Sequence, residues 1–338
     1  MPRNFSARFS SDMIKIVASL LVVLLFSGMC SVRAQDAAFT QFYANPLFLN
    51  PALTGNTECG RIHTNYRNQW PSLGKAYTTY SITYDQNLSA INSGFGFIAM
   101  NDQQGDGAFN RTLAGAFYSY KLQISRDAML SFGMKAAFYQ ESINWSKLIF
   151  ASDISGTGAE TPPENPTIYT VDFSAGMVLG VRDEYFVGIA ADHLSQPTLS
   201  FYDNENSFLP LKLSAHAGVN LNASTGLLGG GRESDLLIQP NLLFMQQGDF
   251  SQLNLGVYIN KYPFVTGAWF RHTFNNMDAV VILAGINYQQ FRFGYSYDFT
   301  VSKLGGRSGG AHEISLAWEF CVYTASKRTI RTIKSPSF

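Results

Sequence analysis

Five histidines (His63, His193, His216, His272 and His312) and two cysteines beyond the N-terminal region (Cys59 and Cys321) are the side chains best equipped for catalysis or metal binding. Their spacing points to neither. No two histidines stand four apart, as on the ligand face of a helix, and no HExxH segment is present. A serine hydrolase needs a nucleophile, a histidine and an orienting group brought together, and no GxSxG segment offers such a serine. Asn101-Asp102-Gln103-Gln104-Gly105-Asp106-Gly107 has the polar-and-glycine look of a calcium loop, but its twelfth position is Thr112, where the closing Glu belongs. A polar turn is the simpler expectation. The chain is expected to be no enzyme and to carry no cofactor and no metal.

The remaining reactive groups sit in a pattern. His216, Lys135, Lys212, Arg292, Asp298, Glu313 and Glu319 all fall on the polar side of segments that alternate with period two. The clearest runs Phe291, Phe293, Tyr295, Tyr297 and Phe299 against Arg292, Gly294, Ser296, Asp298 and Thr300. A second sets Leu211, Leu213, Ala215, Ala217, Val219 and Leu221 against Lys212, Ser214, His216, Gly218, Asn220 and Asn222. Such alternation gives a β-strand one apolar and one polar face. For His216 a hydrogen-bonded wall residue is the expectation, ahead of a proton-handling role.

Composition decides which way the apolar faces point. Aromatic residues make up 14% of the chain and Gly numbers 29, yet charged residues reach only 14%, against about 25% in ordinary soluble domains. No apolar run beyond the N-terminus approaches the ~20 residues of a transmembrane helix. Low charge, many aromatics and short alternating strands fit a barrel whose apolar face meets lipid. Lys or Arg on that face would cost about 2–4 kcal/mol at the membrane midplane, so the charged groups above are expected inside, paired or hydrated. A net charge of +0 argues against a nucleic-acid partner.

Fourteen strands are expected, at about 57–68, 74–85, 91–100, 108–123, 128–141, 167–181, 184–193, 211–222, 234–245, 250–260, 263–274, 279–289, 291–301 and 311–323. Their even-numbered connections are short apart from the Gly-rich stretch 226–231, while the odd ones include 142–166 and 194–210. Short periplasmic turns and longer outer loops are the asymmetry of outer-membrane barrels. The fold class is thus all-β, a transmembrane antiparallel barrel of about fourteen strands over residues 57–323, with periplasmic termini. A barrel that wide is not filled by its own side chains, so its lumen must hold water, a plug or a bound segment.

Ahead of the barrel, Arg3, Arg8 and Lys15 precede an apolar run from Ile16 to Phe26, followed by Val32-Arg33-Ala34. That order is a signal peptide, too short to span a bilayer. Met29 and Ser27 fit a lipoprotein site at Cys30 poorly. Cleavage is expected after Ala34, making 1–34 the signal peptide and 35–56 a strap that packs in or under the barrel. The strap is non-periodic and apolar, and Asn45-Pro46 and Asn50-Pro51 exclude regular helix or strand across them. Phe39, Gln41, Tyr43, Asn45, Pro46, Asn50 and Pro51 are its candidate plug or partner contacts.

The run Phe39-Thr40-Gln41-Phe42-Tyr43-Ala44-Asn45-Pro46-Leu47-Phe48-Leu49-Asn50-Pro51-Ala52-Leu53-Thr54-Gly55 resembles the opening of the PorP/SprF family of outer-membrane proteins. The likeness continues through Asn65-Tyr66-Arg67-Asn68-Gln69-Trp70-Pro71, Asn101-Asp102-Gln103-Gln104-Gly105, Gly310-Ala311-His312-Glu313-Ile314-Ser315-Leu316 and Ser335-Pro336-Ser337-Phe338. It implies a Bacteroidetes-type barrel serving type IX secretion, surface retention of secreted proteins, and gliding adhesins. It also implies cargo with a C-terminal sorting domain and periplasmic ring components of the machine as partners. No catalytic residues come with it. A porin for small solutes is the competing reading, and an outer-membrane enzyme a distant third.

Two further expectations concern the barrel's ends. Residues 324–338 form a basic tail in which Lys327, Arg328, Arg331 and Lys334 are either a solvated end or a periplasmic docking strand. Closing the barrel makes the first and last strands neighbours. That brings Cys59 and Cys321 to one rim, in a compartment where they can pair.

Overall fold

The computed structural model describes residues 36–74, 76–156, 160–202, 207–223, 236–274, 276–301, 308–321 and 333. The expected signal peptide, the Gly-rich stretch 226–231 and the tail residues Lys327, Arg328, Arg331 and Lys334 lie outside the described residues.

The alternating segments become strands joined in one closed sheet. They are β1 (Gly60–Gln69), β2 (Tyr77–Leu88), β3 (Ser93–Gln104), β4 (Phe109–Gln123), β5 (Ala128–Ile143), β6 (Thr167–Val181), β7 (Tyr185–Asp192) and β8 (Lys212–Val219). Next come β9 (Leu221–Ala223), β10 (Leu236–Gln247), β11 (Phe250–Lys261), β12 (Phe264–Thr273), β13 (Asn276–Tyr288), β14 (Phe291–Thr300) and β15 (Ala311–Phe320). β8 and β9 are two halves of one stave, interrupted at Asn220 and both paired with β10, so the wall has fourteen staves. Each pairs antiparallel with its neighbours, and β1 meets β15 from Gly60↔Phe320 to Gln69↔Ala311. Closure leaves no sheet edge in the hydrocarbon, where unpaired backbone groups cost several kcal/mol each. Among the described residues no helix is long and apolar enough to cross a membrane.

The apolar faces point outward. Phe291, Phe293, Tyr295 and Phe299 of β14 are exposed while Ser296 and Asp298 are buried. On β15, Ile314, Leu316 and Trp318 are exposed and Glu313 and Ser315 are buried. A barrel in water would show the reverse. The connections at 124–127, 182–184, 262–263 and 289–290 are short, whereas 144–166, 193–211 and 301–310 at the other rim are long. The first rim is therefore taken as periplasmic and the second as outer.

β1 begins and β15 ends at the periplasmic rim, where Cys59 and Cys321 are joined by a disulfide with Cα atoms 4.4 Å apart. The bond closes a chain separation of 262 residues and limits the unfolded chain. Cys59→Ser should therefore lower stability by about 2–4 kcal/mol. It would be read as earlier melting of the folded band on heated gels, with reductant reproducing the shift in the unaltered chain. A peptide mass map without reductant checks the bond itself.

Candidate functional site in the barrel lumen

The strap runs through the lumen. Its two Asn-Pro pairs leave three short turns, Phe42–Ala44, Pro46–Leu49 and Pro51–Leu53. Pro46 and Pro51 open the second and third turns, where a missing N–H has no partner to lose. The Asn50 side chain accepts from the Ala52 N–H at 2.9 Å and starts the third turn. The wall's two ends share the periplasmic rim, as expected, but ahead of β1 the strap places Asp36, the first described residue, at the other one. Asp36 touches Arg111, His193, Lys212 and Gln247, all at the outer ends of their staves. Gly55, at the opposite end, bonds Asp85 near the periplasmic end of β2.

Three anchorages fix this path. At the top, Asp36 pairs with Arg111 at 3.0 Å, His193 at 2.7 Å and Lys212 at 3.4 Å. His193 spans Asp36 and Asp172, the latter at 2.8 Å. Below it, the Thr40 and Gln41 N–H groups donate to Glu313 at 2.6 and 3.0 Å, and the Thr40 hydroxyl donates to Asp298 at 2.8 Å. Arg67 ties both carboxylates together, at 3.0 Å from Asp298 and 3.1 Å from Glu313, and also donates to Thr40. At mid-depth, Asn50 Nδ2 donates to the Met177 and Ile189 carbonyls at 3.3 and 3.0 Å and meets His216 Nε2 at 3.1 Å. Charges this deep are tolerated because each is paired and hydrogen-bonded.

The top anchorage has a pH signature. Burial pushes the His193 pKa down, but Asp36, Asp172 and Asp192 outweigh it and raise it from 6.5 to about 9. Burial pushes Asp36 up, but His193, Lys212 and Arg111 hold it well below the usual carboxylate range. A raised histidine contributes fully below its ordinary value and loses that contribution as pH climbs through the raised one. The melting difference between the unaltered chain and His193→Gln should be greatest at pH 5–6 and vanish above about pH 9. A difference that is flat from pH 5 to 10 would contradict the ionised latch.

Apolar contacts and close approach complete the seat. Phe42 meets Trp269 edge-on at 4.8 Å, and Tyr43 lies among Phe186, Tyr258 and Trp269. Fully burying one such side chain contributes about 1.5–3 kcal/mol. The wall opposite carries glycines where the strap passes. A Cβ at Gly133 would collide with the backbone of Pro51 and Ala52, one at Gly176 with Asn50, and one at Gly94 with Thr54. Lumen-facing residues on every stave are buried, including Thr83, Met100, Ser119, Ser131, Asp172, Phe186, His216, Leu243, Tyr258, Trp269, Val281 and Ser296. A water-filled lumen would leave such residues exposed.

The candidate residues of the strap thus converge. Gln41, Tyr43, Asn45 and Asn50 touch the wall directly, Asn45 through Ser81 at 3.0 Å. Phe39 meets Phe48 edge-on within the strap, and Pro46 and Pro51 are buried in its turns. The charged wall residues pair inside: Lys135 with Asp192, and Arg292 with Glu319. Sequence reasoning put Arg61 and Arg67 on the polar face of the first strand without giving them a role, and missed Arg111, Arg271 and the apolar inner set Trp269, Val281 and Leu283. β13 was the available signal, because Ala279 to Ile286 is apolar on both faces and so has something apolar on each side.

Comparison with known proteins places this barrel. A family model described as "Type IX secretion system membrane protein PorP/SprF" matches residues 31–318. The chain belongs to the PorP/SprF family. Its match covers the strap and all but the last residues of the wall, so the plug-forming segment is part of what the PorP/SprF model describes. A search of the curated proteins gave no match. Among solved structures, the P. putida toluene transporter TodX is 9% identical, with a TM-score of 0.48 over 81% of this chain and 93% of that one. Acinetobacter baumannii Omp33 is 7% identical, with a TM-score of 0.44 over 79% and 100%. A Rh. blastica porin variant is 8% identical, with a TM-score of 0.35 over 78% and 99%. This PorP/SprF chain is thus an outer-membrane barrel component of type IX secretion.

Proposed function

We propose that the chain is a non-enzymatic protein-binding component or accessory of the type IX system. It would bind an exported protein with a C-terminal sorting domain, of gliding or adhesin type, at the outer face. It would contact the periplasmic ring components from below, with Lys327, Arg328, Arg331 and Lys334 as a docking strand. The observation that carries this reading is the seated strap. A barrel whose lumen is packed from Asp36 at the outer end to Gly55 at the periplasmic end is poorly suited to passing small solutes. Its exposed outer loops, with Ile149 and Ile154 among them, remain available to a protein.

The test is to delete the gene and follow surface proteins that carry a C-terminal sorting domain, then capture the affected one on tagged barrel. The expected result is loss of at least one such protein from the surface and its co-purification with the barrel. Unchanged surface proteins together with slower uptake of a small solute would favour the porin.

A further inference from the structure

Ile333 lies beyond the wall, yet it is held as a ligand is held. Asn56 Nδ2 donates to the Ile333 carbonyl at 2.6 Å, and the Ile333 N–H donates to Asn56 Oδ1 at 2.8 Å. One side-chain amide thereby supplies both bonds that a paired residue on a neighbouring strand would exchange. Asn56 is itself only 8% exposed. Ile333 is 4% exposed and belongs to the apolar cluster that contains Leu53, Met129 and Val178. On the wall side it rests on Gly180, near the periplasmic end of β6, where a Cβ would stand 2.9 Å from Ile333 Cγ2. Any side chain at position 180 would take the space the isoleucine uses.

We infer that the periplasmic mouth carries a peptide-binding site built from Asn56 and Gly180. It takes one β-branched aliphatic residue, and the chain's own Ile333 is its resident occupant. Asn56 reads backbone alone, so it accepts any residue with a free N–H. The space over Gly180 supplies the side-chain preference. Asn56 follows Gly55, whose N–H is fixed by Asp85 at 2.8 Å, so the site adjoins the end of the strap. A periplasmic partner that offers a similar segment, or draws the tail away, would act directly beneath the plug.

The test uses the full chain. Gly180→Cys combined with Ile333→Cys should form a disulfide, because a Cβ at 180 stands 3.4 Å from the Ile333 Cβ, close to the bridging range. Gly180→Cys combined with Lys327→Cys should not. A fluorescent peptide of residues 329–338 should bind the Ile333→Asp chain, whose site is vacated and still has Gly180, about tenfold more tightly than it binds the chain carrying both Ile333→Asp and Gly180→Leu. The same peptide carrying Ile333→Asp should bind both chains equally weakly. Any one of three results overturns the site: no 180–333 bond in a barrel that still shows its folded band on gels, equal bonding at 327 and 333, or equal binding of the unaltered peptide with and without Gly180→Leu.

Discussion

Gly133→Leu should unseat the strap and turn a closed barrel into a conducting one. Gly133 lies on β5 opposite the turn at Pro51–Leu53, and the Ser131 hydroxyl two residues earlier donates to the Ala52 carbonyl at 2.6 Å. A Cβ at 133 would overlap the backbone of Pro51 and Ala52. Backbone cannot rotate aside as a side chain can, so the strap must leave. Losing the burial of two of its large apolar side chains would cost about 3–6 kcal/mol, at 1.5–3 each. The wall ladder has no reason to break, because the glycine is extended and its strand bonds are unaltered. Ala136→Leu is the control: Ala136 is exposed on the lipid-facing side of the same strand. The expected outcome is a folded Gly133→Leu barrel with a strap open to protease and an earlier melt, beside an Ala136→Leu barrel that behaves as the unaltered chain. Equal protection of the strap in both would count against the seat.

The second large effect is expected at Arg67. Its guanidinium is buried between Asp298 and Glu313. Arg67→Ala leaves Asp298 with Arg271 at 3.0 Å, but leaves Glu313 with no paired cation among the described residues. Removing one partner of a buried pair costs about 3–5 kcal/mol, since the other charge stays desolvated. Arg67→Lys should recover part of this and not all, because an ammonium cannot present the planar fork that reaches both carboxylates and Thr40. Adding Glu313→Gln to Arg67→Ala should be less damaging than summing the two single changes, as groups in one network are not additive. Melting of the folded band for the four variants checks this. A loss under about 1 kcal/mol for Arg67→Ala would mean that water reaches the pair and that the lumen is wetter than its burial implies.

Much of the wall was legible because a barrel strand must alternate. β14 and β15 announce their faces residue by residue, and the expected strands at 167–181 and 291–301 coincide with β6 and β14 to within a residue. The break at Asn220 was not legible, since Leu211 to Leu221 alternates straight through it and the register against β10 is the same on both sides. The strap's place in the lumen follows physically from Phe39, Phe42, Tyr43 and Leu47, which are too apolar to hang in water. Its direction was hidden. A segment without periodicity has no register, and pairs such as Arg111 with Asp36 or Thr40 with Glu313 join residues far apart in sequence. β13 shows the same limit from the other side: an apolar inner face looks like a fault in the alternation until the strap is there to cover it.

Single-channel recording from the purified, unaltered chain in planar bilayers tests the central claim most directly. A barrel plugged by residues 36–56 should give no stable open channel, and Gly133→Leu recorded in the same way should give steady conductance. Stable open channels from the unaltered chain would contradict the plug and return the protein to the porin reading.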